Sequence, residues 1–277
     1  MKQFVLKAED LPRFAGLYTE TLANAADETT ILLGAVDEQA QPPIPAGLLA
    51  ARVIDGALLL EWLYVAPECR RQGVAASLFN TLLNSAQQND AVRGIAAFFS
   101  QNQPELEAFF KAVDFAVFHM DGWGQFKGTL DNVAAIPNPP AAGYSIIPLA
   151  EVPEAKLRAF NQFLLQENAP RCGVPLPILP QDYAPQSKVC YANGNIGGVI
   201  LLRMQDAQIE LSWLYAPMKH LRSLPLLLNA ALSDVRQNMP PETPLVFGTL
   251  ARPGQALAER LLPDAEWIET YIALWQF

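Results

Sequence analysis

The chain has 277 residues, 51% hydrophobic and 17% charged, with no low-complexity tract; this suits two packed globular domains and excludes a disordered chain. A net charge of -9 disfavours nucleic acid, whose binding draws on clustered Lys and Arg, and is compatible with a cationic partner such as an amine. The N-terminus reaches charge at Lys2, too soon for a signal peptide, and the apolar runs are too short to span a bilayer, so a cytoplasmic protein without membrane contact is expected.

Residues 3–7 read as a strand. Asp10, followed by Leu11 and Pro12, is an N-cap signal, and Phe14, Leu17 and Leu22 carry a helix to about residue 24. Strands over 30–36 and 46–54 flank a proline-rich loop at 41–45, and Asp55-Gly56 signals a hairpin into a strand over 57–65. Val74, Leu78, Leu82 and Leu83 mark an amphipathic helix over 73–87. A buried strand over 95–99, a helix over 104–113 and a hairpin over 115–130, with Gly122 and Gly124 at its turn, complete the first half. Residues 131–143, with Pro137, Pro139 and Pro140, read as a linker.

The second half repeats the order: a strand over 145–149, a helix over 153–168, and strands over 189–191, 198–204 and 208–215. A helix over 221–238, a strand over 245–250, a helix from about 254 and a strand over 267–275 follow. Residues 169–185, with five prolines, read as an ordered loop. The repetition is also literal. At a constant shift of 151, seven of the eighteen residues from 47 to 64 recur: Gly47/Gly198, Arg52/Arg203, Asp55/Asp206, Leu60/Leu211, Trp62/Trp213, Leu63/Leu214 and Tyr64/Tyr215. Ordinary residue usage gives roughly one such match. The expected domains are 1–130 and 144–277, joined by 131–143, each a mixed, mostly antiparallel sheet flanked by helices.

The copies part company after the shared tyrosine. Arg70-Arg71-Gln72-Gly73-Val74-Ala75 lies between a strand and a helix. Its small Gly73 and Ala75 leave amides free to converge on an anion at the positive end of the helix dipole, and Arg70 and Arg71 can add charge to a phosphate. In the second copy Ser223 replaces Gly73 under a one-residue deletion, with Leu224-Pro225 in place of Val74-Ala75. Leu224 adds bulk and Pro225 has no amide, so no such cradle is expected there.

The first motif, following Leu63-Tyr64-Val65, resembles the signature Arg/Gln-x-x-Gly-x-Gly/Ala of the GNAT superfamily of acyl-CoA-dependent N-acyltransferases. The order of elements agrees with it in both halves, the second as a degenerate copy. The resemblance implies that the backbone of Leu63, Tyr64 and Val65 pairs with a pantetheine arm, and that Gln72, Gly73, Val74, Ala75 and Ala76 hold a pyrophosphate. Asn102, or Gln103 beside it, would match a further family Asn. Phe110 and Asp114 depart from the family's Tyr-x-x-x-Gly-Phe, which removes the usual general acid. Glu61 alternates with Trp62 along its strand, shares a face with residues 59 and 65, and is the candidate base.

The resemblance thus implies an acetyl-CoA-dependent N-acetyltransferase acting on a primary amine. A non-catalytic acyl-CoA sensor and an interaction scaffold are the alternatives, and a homodimer is left open. Cys69, Cys172 and Cys190 are odd in number and without paired spacing, which argues for free thiols and against a zinc site. His119, His220 and the Trp62/Trp213 pair read as structural.

Overall fold

The computed structural model describes residues 1–54, 56–137, 139–167, 176–205 and 207–276. The chain forms two compact units, residues 1–120 with 270–277 and residues 121–269. No helix among the described residues is long and apolar enough to cross a membrane.

In the first unit β1 (Lys2–Leu6), β2 (Thr30–Asp37), β3 (Ile44–Ile54) and β4 (Ala57–Val65) pair antiparallel in sequence order. The expected helix over 10–24 is broken. A 3-10 segment (Ala8–Phe14) is followed by Gly16 at φ +86°, and Thr19 caps a separate α1 (Glu20–Ala25) by accepting from the Leu22 amide. After β4 the chain crosses over through α2 (Val74–Gln87), which buries Val74, Leu78, Phe79 and Leu82, to the parallel strand β5 (Gly94–Ser100). α3 (Pro104–Ala112) follows. The far side of β5 pairs antiparallel with residues 270–276 of the C-terminal strand (Glu266–Gln276).

The second unit receives the complementary strand. Residues 123–129 of β6 (Ala116–Thr129) pair with β11 (Pro244–Leu250), which runs parallel to β10 (Gln208–Tyr215). β9 (Asn195–Gln205), β8 (Lys188–Ala192) and β7 (Tyr144–Pro148) continue antiparallel. α4 (Glu154–Gln166), α5 (Ser223–Asn238) and α6 (Arg252–Leu261) flank this sheet. The compact units are therefore not the contiguous blocks 1–130 and 144–277: the strand after α3 closes the second sheet, and the C-terminal strand, β12, closes the first.

One sequence reading changes with this exchange. The hairpin over 115–130 is one continuous strand, because Gly122 and Gly124 serve close approach instead of a turn. A Cβ at Gly122 would run into the backbone of Ala251 and Arg252, and one at Gly124 into the indole of Trp267. In the 169–185 loop, residues 169–175 and Cys172 lie outside the described residues, as do Asp55 and Asp206. Its described part is ordered: the Ile178 amide donates to Asn161 Oδ1 at 2.9 Å and Asn161 Nδ2 donates to the Ile178 carbonyl at 3.3 Å.

Candidate functional site

In the first unit the parallel pairing of β4 with β5 covers only Leu58 to Leu60. On the other side β4 stays paired with β3 as far as Gly47 opposite Val65, with one irregularity: Ala51 faces Leu60 and Ala50 faces Trp62. Glu61 is the extra residue of a β-bulge. A bulge bends its strand and adds twist, so the β5-facing edge of Leu63, Tyr64 and Val65 carries no ladder among the described residues. Such an edge offers main-chain donors and acceptors to an extended ligand.

The bulge also revises the face assigned to Glu61. Strict alternation from residue 59 to residue 65 does not hold across it. Glu61 is exposed as a residue although its side chain is only 26% exposed, so the open surface lies on its backbone. Its carboxylate lies 3.7 Å from Arg52 Nε, and Arg52 Nη2 donates to Thr30 Oγ1 at 3.1 Å. A base at this position would work beside the Arg52 cation. Sequence reasoning missed Arg52 as a site residue, although its recurrence as Arg203 was visible.

Beyond Val65 a 3-10 turn (Pro67–Cys69) leads to the head of α2. Arg71 at φ +60° and Gly73 at φ +77° both take left-handed conformations, and Gly73 is the N-cap of α2. A Cβ on Gly73 would meet nothing within 4 Å, so the space over the loop is open. No acidic side chain occupies the first turn of α2. The amides of the first helical turn have no intrahelical partner and sit at the positive end of the dipole.

The two arginines differ in their surroundings. Arg70 folds back, donating from Nε to the Val65 carbonyl at 3.1 Å, with its guanidinium 5.5 Å from the centre of the Tyr64 ring. It braces the loop. Arg71 is exposed and makes no ion pair among the described residues, so its charge is available. Gln72 Nε2 donates to the Glu68 carbonyl at 3.0 Å, leaving its own backbone to the loop. Val74 is buried and could offer a ligand only its amide, whereas Ala75 and Ala76 are half-buried and small.

Gly47 makes this placement possible: a Cβ there would lie 2.9 Å from Val74 Cγ1 and 3.3 Å from the Tyr64 carbonyl. Asn102 is exposed, its amide bound to Ser100 Oγ at 3.0 Å, and Gln103 Oε1 accepts from the Ser100 amide at 2.9 Å. Phe110 is buried, with ring centres 5.4 Å from Phe99, 5.5 Å from Phe109 and 5.0 Å from Phe115. Cys69 is a buried free thiol whose pKa is pushed up by burial, which opposes a nucleophilic role. Cys190 is likewise free and buried. Among the described residues no three His, Cys, Asp or Glu side chains come together as a metal site.

In the second unit the bulge recurs at Ser212, between Leu211 opposite Leu202 and Trp213 opposite Leu201, but the cradle does not. A Cβ on Gly198 would lie 2.5 Å from Ser223 Oγ, 3.1 Å from Leu227 Cδ1 and 3.1 Å from the Tyr215 carbonyl, as Gly47 faces Val74, Leu78 and Tyr64. Ser223 therefore stands in the place of Val74, not Gly73, and the loop is shorter by two residues instead of one. Its hydroxyl is buried and donates to the Gly197 carbonyl at 3.2 Å. Arg222, at φ -62°, precedes the helix in place of the left-handed glycine, and Pro225 falls where Ala76 stands in the first unit.

Residues 5–115 match the model of the acetyltransferase (GNAT) family. By that match, this stretch is similar to GNAT-family domains. Over the whole chain the fold is similar to that of tandem GNAT proteins of known structure. A tandem GNAT protein from the clavulanic acid biosynthesis pathway superposes with TM-score 0.74 at 14% identity, covering 99% of this chain and 98% of its own. A GCN5-related N-acetyltransferase from Sphaerobacter thermophilus gives 0.64 at 13% identity, with 99% and 95% covered. A conserved protein of unknown function from Enterococcus faecalis, a probable N-acyltransferase, gives 0.59 at 12%, with 99% and 72% covered. Identities this low bear on the fold. No curated protein matches the sequence.

Proposed function

We propose that this protein is an acetyl-CoA-dependent N-acetyltransferase in which the first unit holds the cosubstrate and passes its acetyl group directly to a primary amine. The observation that carries this reading is the pairing, in one domain similar to those of the GNAT family, of an open left-handed Gly73 at the head of α2 with a β4 edge freed beyond Leu60. Backbone amides from Gln72 to Ala76, with Arg71, hold the pyrophosphate, and Leu63, Tyr64 and Val65 pair with the pantetheine arm. Arg70 and Asn102 act through the loops they brace. The amine nitrogen attacks the thioester carbonyl, its proton passes to Glu61 or to a water that Glu61 orders, and the carbon–sulfur bond breaks. The leaving thiolate takes its proton from water, because Phe110 has none to give. The acceptor is a small-molecule or peptide amine, and the protein works in the cytoplasm.

Phe110 favours a second reading, a sensor that binds acyl-CoA without turnover. Calorimetric titration with acetyl-CoA, followed by thiol-release assays over a panel of amines, separates the two. One site per chain with turnover is expected. Gly73→Glu should abolish binding with folding retained, and Arg222→Glu, at the exposed equivalent position, should leave it intact. Equal loss in both variants would defeat the assignment to the first unit, and binding without turnover would favour the sensor.

A further inference from the structure

We propose that the second unit carries its own site for a small organic anion with a flat apolar body, at a place unrelated to the acyl-CoA cradle. A cavity of about 460 Å³ opens between α4, the β8–β9 turn and the loop after β10. Phe160, Phe163 and Ile196 form its apolar wall, and the two phenyl rings lie nearly parallel, 21° apart with centres at 6.2 Å. Asn193 and Asn195 add neutral polar groups to the basic Lys156, Lys219 and His220, and among the described residues no Asp or Glu lines it.

Neither lysine has a carboxylate partner among the described residues, in a chain that carries 28 acidic against 19 basic side chains. An acidic protein with spare carboxylates that leaves two ammonium groups unpaired around one concave, aromatic-walled space has the electrostatics of an anion receptor.

The site is held by local structure. Asn193 at φ +52° and Gly194 at φ +77° form a two-residue hairpin turn, and the Gly194 carbonyl accepts from Lys156 Nζ at 2.8 Å. That bond fixes the ammonium at the rim and leaves two of its protons to a ligand. His220 is set by edge-on contact with Tyr144, ring centres 6.2 Å apart, and by Gly197, where a Cβ would lie 3.3 Å from the imidazole. The repeat shows that this chemistry belongs to the second copy alone. At the shift of 151, Lys219 and His220 replace Glu68 and the buried Cys69, which reverses the charge of the loop. The copy that lost the helix-head cradle gained cations on the adjoining 3-10 turn (Met218–His220).

The probes are phenyl phosphate and benzoate, with inorganic phosphate to test the anion alone and benzamidine to test the sign of charge, titrated by calorimetry into the full chain. Phenyl phosphate or benzoate should bind once per chain with Kd below about 1 mM, inorganic phosphate at least tenfold more weakly, and benzamidine not at all. Lys156→Gln and Lys219→Gln should each weaken binding about tenfold. Gly73→Glu should leave it unchanged, which separates this site from the cradle and from the reading of the first unit as an acetyl-CoA site. No binding up to 10-fold above that Kd, equal binding of benzamidine, or unchanged affinity in the Lys156→Gln/Lys219→Gln double variant would each overturn the proposal.

Discussion

Asp114, one residue beyond the C-cap of α3, stands where the resembling motif has glycine, and it adopts glycine's conformation, φ +62°. The Phe115 amide closes the helix end on the Phe110 carbonyl at 2.9 Å, so the backbone geometry is kept while the side chain is strained. Asp114→Gly should relieve that strain by about 1 kcal/mol, offset in part by the greater freedom of glycine in the unfolded chain. The thermal midpoint of the variant should rise by about 1–4 °C, and a fall would show that the Asp114 side chain holds the turn by contacts of its own. The sequence revealed the departure at Asp114 and at Phe110, since both are read from single letters. It did not reveal that Glu61 is a bulge residue paired with Arg52, because a bulge is decided by the register of two strands and leaves no mark in the alternation of one.

At the level of elements, hydrophobic periodicity located β2 to β5, α2, α3 and their counterparts, because each buries one face against a sheet and must show it. It failed where glycine carried the information. Gly16 breaks a pattern that reads as one helix, and Gly122 and Gly124 sit in mid-strand where a neighbour leaves no room for a side chain. Gly47 and Gly198 are further instances of the same device, since each lets a helix head seat on its sheet. Gly47→Ala should push Val74 and the start of α2 outward, destabilise the protein by about 1–3 kcal/mol and weaken acetyl-CoA binding severalfold. Gly198→Ala meets Ser223 and the Tyr215 carbonyl instead, and should cost similar stability without changing acetyl-CoA affinity. Urea denaturation of both variants, alongside acetyl-CoA titration, checks the pair. Loss of acetyl-CoA affinity in Gly198→Ala would contradict a cradle confined to the first unit.

For the whole molecule, the repeat established that two copies exist but could not say which copy each sixth strand completes. β6 and β12 occupy equivalent places in the repeat, and pairing partners are set by tertiary packing that a one-dimensional pattern does not encode. The exchange makes the first unit depend on the far end of the chain. Residues 270–276 supply the second hydrogen-bonded edge of β5 and carry the buried Ala273 and the half-buried Tyr271 and Trp275, with Tyr271 stacked 5.6 Å from Phe99. Losing them would uncover one edge of β5 and expose side chains worth roughly 1.5–3 kcal/mol each when fully buried. A chain ending at Glu269 should therefore lose hydrogen-exchange protection at the amides of 95–99 and lose acetyl-CoA binding, while the amides of β8 and β9 keep theirs. A synthetic peptide spanning 266–277 should restore the protection by filling the same edge. Unchanged protection of β5 in the shortened chain would show that the first sheet is complete without its C-terminal strand, and that the exchange contributes connectivity without stability.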